Sequence, residues 1–244
     1  MRSSGKVLVG DEICVYEAIR MKPRITLGET QGEDGSILEL QEHDGRRYLL
    51  VQGQQICGPA TKATEEEIAK LAAAPFRPAR QPRIWLAGLG LGHMLSSIIR
   101  ELPQKRATYF VAESRAELVD WNREFFPDTP LADPRVVLEN DSGPNALNKQ
   151  SGTLHAILIH LDSAPLASKQ RMWINDKRWL SATYEALQPG GLLAIASTRK
   201  IPNVTRNLER EGYEVIEHFV PAVPMAKKPR FVPIWLARKA RGAE

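Results

Sequence analysis

The segment Ile84-Trp85-Leu86-Ala87-Gly88-Leu89-Gly90-Leu91-Gly92 limits what this chain can fold into more than any other. A short apolar run, too brief for a helix, reads as a strand buried on both faces. It breaks into glycines at every second position, and a helix-compatible stretch follows from His93 to Leu102. Glycine adopts positive φ and lets a ligand approach the backbone; the helix beyond presents free N–H groups and the positive end of its dipole. Strand, glycine turn and helix in this order open a nucleotide-binding α/β sheet. Taken alone, the turn is compatible with NAD, FAD or an adenosyl ligand, or with a tight turn that binds nothing.

The alternation continues. Ala107 to Ala112 reads as a second strand ending at Glu113, and Leu118 to Phe126 as a helix. Val136 to Leu138 is a third strand ending near Asp141, and Ala156 to Ile159 a fourth ending at His160-Leu161-Asp162. A helix is expected from Met172 to Leu187, after which Pro189-Gly190-Gly191 turns the chain into a strand over Leu192 to Ala196. Val204 to Glu211 reads as a helix closed by Gly212, and Tyr213 to Val220 and Phe231 to Ala237 as two late strands suited to antiparallel pairing. Strands alternating with helices predict a parallel sheet with right-handed crossovers.

Upstream the period changes. Residues 8–57 read as antiparallel β-structure, with Asp44-Gly45 between two β-prone runs as a hairpin signal, a second turn at Gln52-Gly53-Gln54, a strand over Arg24 to Glu29 and a turn at Asp34-Gly35. Thr64, with Glu67 at the capping-box position, is expected to start a helix. Pro75, Pro78 and Pro82 punctuate the segment after it. The expected organisation is an N-terminal β-hairpin domain over residues 1–62, a helix and linker over 63–82, and a Rossmann-like domain over 83–244.

Chemistry concentrates where the strands end. Gly88, Gly90 and Gly92 are candidates to line a cofactor. Glu113, about 20 residues beyond the glycines, is placed to accept from two ribose hydroxyls. Asp141, after the third strand, is a candidate acceptor for an adenine amino group. Ligands of open α/β sheets bind outside the carboxyl ends of the strands, which brings in Asp162 as a group that holds an amine or acts as a base, and His160 as a base titrating near neutrality. The five histidines show no metal-ligand spacing, and neither a nucleophile elbow nor a Walker A lysine is present.

These elements occur in the order seen in the spermidine synthase family, a branch of the class I methyltransferase fold. The chain resembles that family through Ile84 to Gly92, Glu113, Asp133-Pro134-Arg135-Val136, Asn140-Asp141, Leu161-Asp162-Ser163-Ala164-Pro165 and Leu187-Gln188-Pro189-Gly190-Gly191, and most resembles its bacterial spermidine-synthase-like methyltransferases. The resemblance spans roughly residues 24–238. It implies that Gly88, Gly90 and Gly92 line the amino-acid tail and ribose of S-adenosylmethionine or its decarboxylated form, that Glu113 binds the ribose hydroxyls and Asp141 the adenine. It also implies a homodimer paired through the N-terminal sheets. Three departures bear on the reaction. Spermidine synthases carry an Asp inside the glycine turn, where this chain has Gly90, and another opening the fourth-strand motif, where it has His160; their Gln and Asp-Glu-x-x-Tyr signature gives way to Cys57-Gly58-Pro59-Ala60-Thr61. A polyamine needs several acceptors for its ammonium groups. The expectation is therefore methyl transfer from S-adenosylmethionine to a small-molecule acceptor, with Asp162 positioning it and His160 as base. An aminopropyltransferase and a non-catalytic adenosyl-binding protein are the alternatives.

Composition sets the outer bounds. No run of about 18 apolar residues is present, so no membrane span is expected, and the opening residues lack the apolar core of a signal peptide. Two cysteines, Cys14 and Cys57, make no disulfide framework, which suits a reducing cytoplasm. The net charge of +4 collects toward the C-terminus, at Arg199-Lys200, Lys227-Lys228, Arg230, Arg238-Lys239 and Arg241. No interleaved aromatic motif accompanies it, so nucleic acid is not the expected partner.

Overall fold

The computed structural model describes residues 3–9, 12–18, 23–32, 35–141, 144–162, 174–198, 200–222, 228 and 230–241. The turn residue Asp34, the helix start expected at Met172, Ser163-Ala164-Pro165, Arg199 and Lys227 lie outside them.

The apolar strands assemble as their composition requires. β7 (Arg83–Ala87), β8 (Thr108–Ala112), β9 (Val136–Glu139), β10 (Leu154–His160) and β11 (Leu187–Ala196) run parallel. β13 (Phe231–Lys239) lies antiparallel to both β11 and the edge strand β12 (Tyr213–Pro221), the pairing expected of the two late strands. The sheet order is β12-β13-β11-β10-β7-β8-β9. Successive side chains alternate between two cores. Trp85, Ala87, Ile157, Ile159, Leu193 and Ile195 face one; Ile84, Leu86, Ala156, Leu158, Leu192 and Ala194 face the other. Burying both faces is why these strands read as continuous apolar runs. At Pro189-Gly190-Gly191 the pairing of β11 with β10 jumps from Leu154–Leu187 to Ala156–Leu192, with Gly190 at φ 77°, so the expected turn is a bulge inside a longer strand.

Helices follow the strands: α2 (His93–Glu101), α3 (Ala116–Phe125), α4 (Pro144–Asn148), α5 (Lys177–Ala186) and α6 (Val204–Arg210). The helix before them, α1, starts earlier than the sequence suggests, at Pro59, and ends at Ala73. Pro59 takes the first helical position, where its missing N–H costs nothing, and the Gly58 N–H donates to Thr61 Oγ1 at 2.8 Å. That pair outcompetes Thr64, which is buried in the second turn. Ile68, Ala69, Ala72, Ala73 and the following Phe76 join the second core, so this segment packs directly on the large sheet. α5 starts at Lys177, where Asp176 caps it by accepting from the Arg178 N–H at 2.9 Å.

The N-terminal strands β3 (Ile25–Gln31), β4 (Ile37–His43), β5 (Arg46–Val51) and β6 (Gln54–Cys57) form an antiparallel meander. Both tight turns have two residues at positive φ, Asp44 and Gly45 at 49° and 72°, and Gln52 and Gly53 at 51° and 69°, as hairpins favour. β1 (Ser3–Val9) and β2 (Glu12–Ala18) make a separate antiparallel pair. One face of the meander buries Leu38, Leu40 and Leu49 against Leu91 of the glycine turn and Leu118 of α3, with Trp121, Phe125 and Phe126 packed alongside. The small sheet thus rests on the glycine turn itself.

Candidate functional site

The connection from β7 through α2 runs to β8 on one side, whereas β10 pairs with β7 on the other. The strand order therefore reverses beside the glycine turn, the place where open α/β sheets bind ligands.

The turn is held from several directions. Gly88, Gly90 and Gly92 sit at φ 86°, 53° and 76°. The Gly88 N–H donates to the Ala112 carbonyl and the Gly92 N–H to that of Leu89, both at 2.9 Å. Glu113, 4% exposed, reaches back across the sheet: its Oε2 accepts from the Leu89 N–H at 3.0 Å and its Oε1 from the Arg115 N–H at 2.9 Å. Burial raises the Glu113 pKa, while these backbone donors and the Arg115 charge oppose the rise. An ionised carboxylate offers about four acceptor sites. The backbone donors of Leu89, Arg115 and Ser114 leave about one acceptor site open, room for a hydroxyl donor such as a ribose carries.

Asn122 was not singled out by the sequence. It is buried on α3, and its Nδ2 donates to the Gly90 carbonyl at 3.0 Å and the Leu118 carbonyl at 2.8 Å. Its signal was an Asn one turn from Leu118 on the apolar face of an amphipathic helix, where a buried amide must find partners. Asp141 lies two residues past β9 and is half-buried. The Glu113 N–H donates to the Glu139 carbonyl at 3.0 Å, which brings the ends of β8 and β9 together.

At the end of β10, His160 is fully buried. The two-residue period puts it on the same face as Ala156 and Leu158, the side covered by α1. Burial lowers its pKa, opposed by Asp162, whose Oδ2 is 4.0 Å from Nδ1. Asp162 turns toward the end of β11, where its Oδ2 accepts from the Thr198 N–H at 2.5 Å and from Ser197 Oγ at 3.4 Å. Glycine turn, Glu113, His160 and Asp162 thus occupy the carboxyl ends of adjacent strands. Among the described residues no group of His, Cys, Asp and Glu could hold a metal ion, and no helix is long and apolar enough to cross a membrane.

This architecture, a seven-stranded sheet with an antiparallel penultimate strand and a β-meander in front, is the class I methyltransferase fold in its spermidine synthase-like form. The chain is similar to spermidine synthase from Thermotoga maritima, with a TM-score of 0.69 and 14% identity over 94% of this chain and 76% of that one. It is similar to a probable spermidine synthase from Corynebacterium glutamicum ATCC 13032, with a TM-score of 0.60 and 20% identity over 87% and 79%. It is also similar to precorrin-6y C5,15-methyltransferase from Geobacter metallireducens GS-15, with a TM-score of 0.53 and 16% identity over 71% and 88%. At these identities the likeness is one of fold. No protein-family model and no curated protein sequence matches the chain.

Proposed function

We propose that this protein is an S-adenosylmethionine-dependent transferase that moves a methyl group to a small-molecule acceptor. The observation that carries the reading is Glu113, a buried carboxylate tied to the Leu89 N–H of a three-glycine turn at the switch point of the sheet. Gly88, Gly90 and Gly92 line the amino-acid tail and ribose, Glu113 holds the ribose hydroxyls, and Asp141 the adenine edge. Bound there, the cofactor supplies a methyl group on a sulfonium, a carbon already activated for displacement. The chain's task is then to align the acceptor with that carbon and to exclude water. Asp162, anchored by Thr198, fixes the end of β10 that faces the acceptor. His160, the candidate base, is fully buried with its Nδ1 4.0 Å from Asp162, so it reaches an acceptor proton only by way of that carboxylate.

Methyl rather than aminopropyl transfer is favoured at two positions. Where a polyamine site calls for carboxylates, this chain offers Gly90, with its carbonyl engaged by Asn122, and a neutral buried imidazole at His160. Aminopropyl transfer from the decarboxylated cofactor is the second reading, favoured by the fold likeness to spermidine synthase over 94% of the chain, meander included. Calorimetric titration with S-adenosylmethionine, decarboxylated S-adenosylmethionine and methylthioadenosine separates them. Preference for the intact cofactor is the expected result; preference for the decarboxylated form establishes the second reading, and binding of none removes both.

A further inference from the structure

A cavity of about 640 Å³ opens where the β4–β5 hairpin meets the first turns of α1 and α2 and the end of α3. Its volume is that of a pocket for a small organic molecule. None of Gly88, Gly90, Gly92, Glu113, Asp141, His160 or Asp162 lines it. Its walls divide by chemistry. Phe125, Phe126 and Pro127 give an apolar side continuous with the cluster under the meander. Arg46, Arg47, Lys62 and His93 give the opposite character.

The charges are unequally engaged. Arg47 pairs with Glu42 and donates to the Phe125 carbonyl at 3.3 Å, so its guanidinium is held in place with its ring-facing side 5.8 Å from Phe126. Lys62 is half-exposed and stands 4.0 Å from Glu66, at the limit of an ion pair. Arg46, the first residue of β5 after the hairpin turn, is exposed and makes no ion pair among the described residues. Asp128 is the one carboxylate on the wall, and it is exposed. Burial and the neighbouring Lys62 keep the His93 imidazole uncharged, so it offers a donor and an acceptor and no competing cation.

We propose that this cavity binds an organic anion, a carboxylate- or phosphate-bearing molecule with an aromatic or alkyl body, its charge between Arg46 and Lys62 and its apolar part against Phe125 and Phe126. Guanidinium and ammonium groups with unfilled hydrogen-bonding capacity recognise such a head group, and the same field repels a polyamine. The site is separate from the transferase residues, and the proposal stands whether or not that reading does.

The test is calorimetric titration of the full chain at low salt with phenyl phosphate, inorganic phosphate and spermidine. Phenyl phosphate is expected to bind one site saturably and more tightly than inorganic phosphate, and spermidine not at all. In the R46A/K62A variant its affinity falls by about tenfold or more. Both side chains are exposed, so the variant keeps its fold, which an unchanged melting temperature verifies, and it keeps the wild-type affinity for S-adenosylmethionine. Absence of phenyl phosphate binding, equal binding by the variant, or spermidine binding as tightly as phenyl phosphate overturns the proposal. Loss of S-adenosylmethionine binding alone, in every form of the protein, counts against the transferase reading and leaves this one intact.

Discussion

Removing the Glu113 carboxylate tests the link between fold and cofactor in one position. In Glu113→Ala the N–H groups of Leu89 and Arg115 lose their acceptor at a position only 4% exposed. An unsatisfied buried donor costs about 1–3 kcal/mol, so the pair costs about 2–6 kcal/mol. Glu113→Gln retains one carbonyl oxygen but sets its amide NH₂ against the other backbone donor, and costs about 1–3 kcal/mol. For a chain of this size each kcal/mol lowers the melting temperature by about 2–4 °C. Thermal unfolding followed by circular dichroism should therefore order the proteins wild type, Glu113→Gln, Glu113→Ala, with several degrees between them. Cofactor affinity should fall further than stability implies, because a ribose diol bound to a carboxylate makes charge-assisted bonds worth about 1.5–3 kcal/mol each, or at least about tenfold in affinity. Equal melting temperatures would refute the account of Glu113 as the tie of the glycine turn. Equal cofactor affinities with lowered melting temperatures would leave the tie and remove the ribose contact.

Three further outcomes are expected. Gly92→Ala puts a Cβ 3.0 Å from Asn122 Oδ1 and 3.1 Å from Pro130 Cγ at φ 76°; left-handed strain plus crowding should cost about 2–4 kcal/mol, seen as a lowered melting temperature, and an unaffected melt would show that the turn relaxes freely. His93 carries a pKa pushed down from 6.5 to about 4 by burial and by Lys62, so between those values the unfolded chain takes up a proton that the folded one refuses. Its contribution is present above pH 6.5 and is lost as the pH falls toward 4, by about 3 kcal/mol at most. His155 and His160, lowered by burial, act in the same direction. Urea unfolding from pH 7 to 4 should show a shallower loss for His93→Gln, and identical pH profiles would contradict the burial of this imidazole. Asp162→Ala should lose about 1–3 kcal/mol through the Thr198 N–H along with turnover, whereas Asp162→Asn keeps an acceptor, preserves the melting temperature and lowers turnover alone; full turnover in both would take Asp162 out of the reaction.

The sequence by itself determined whatever depends on near neighbours along the chain. The apolar runs at Ile84–Ala87 and Ala156–Ile159 declare strands buried on both faces, because a period of two has no polar position to offer. Asp44-Gly45 declares a hairpin because that turn needs two residues at positive φ. Glycines followed about 20 residues later by Glu113 declare a glycine turn and a carboxylate at neighbouring strand ends, because consecutive parallel strands bring those positions together. Local signals also misled where two of them competed: Thr64 and Glu67 make a plausible cap, yet Pro59 and Thr61 make a better one a turn earlier. Only the tertiary structure decided where the polar atoms point. That Glu113 closes on Leu89, that Asn122 braces Gly90, that Asp162 turns to Thr198 and that His160 is sealed on the α1 side all follow from strand order and helix packing. The cavity lined by Arg46, Lys62 and Phe126 belongs to the same category. Its residues come from a hairpin and three helices, and no spacing along the chain announces that packing will bring them to one place.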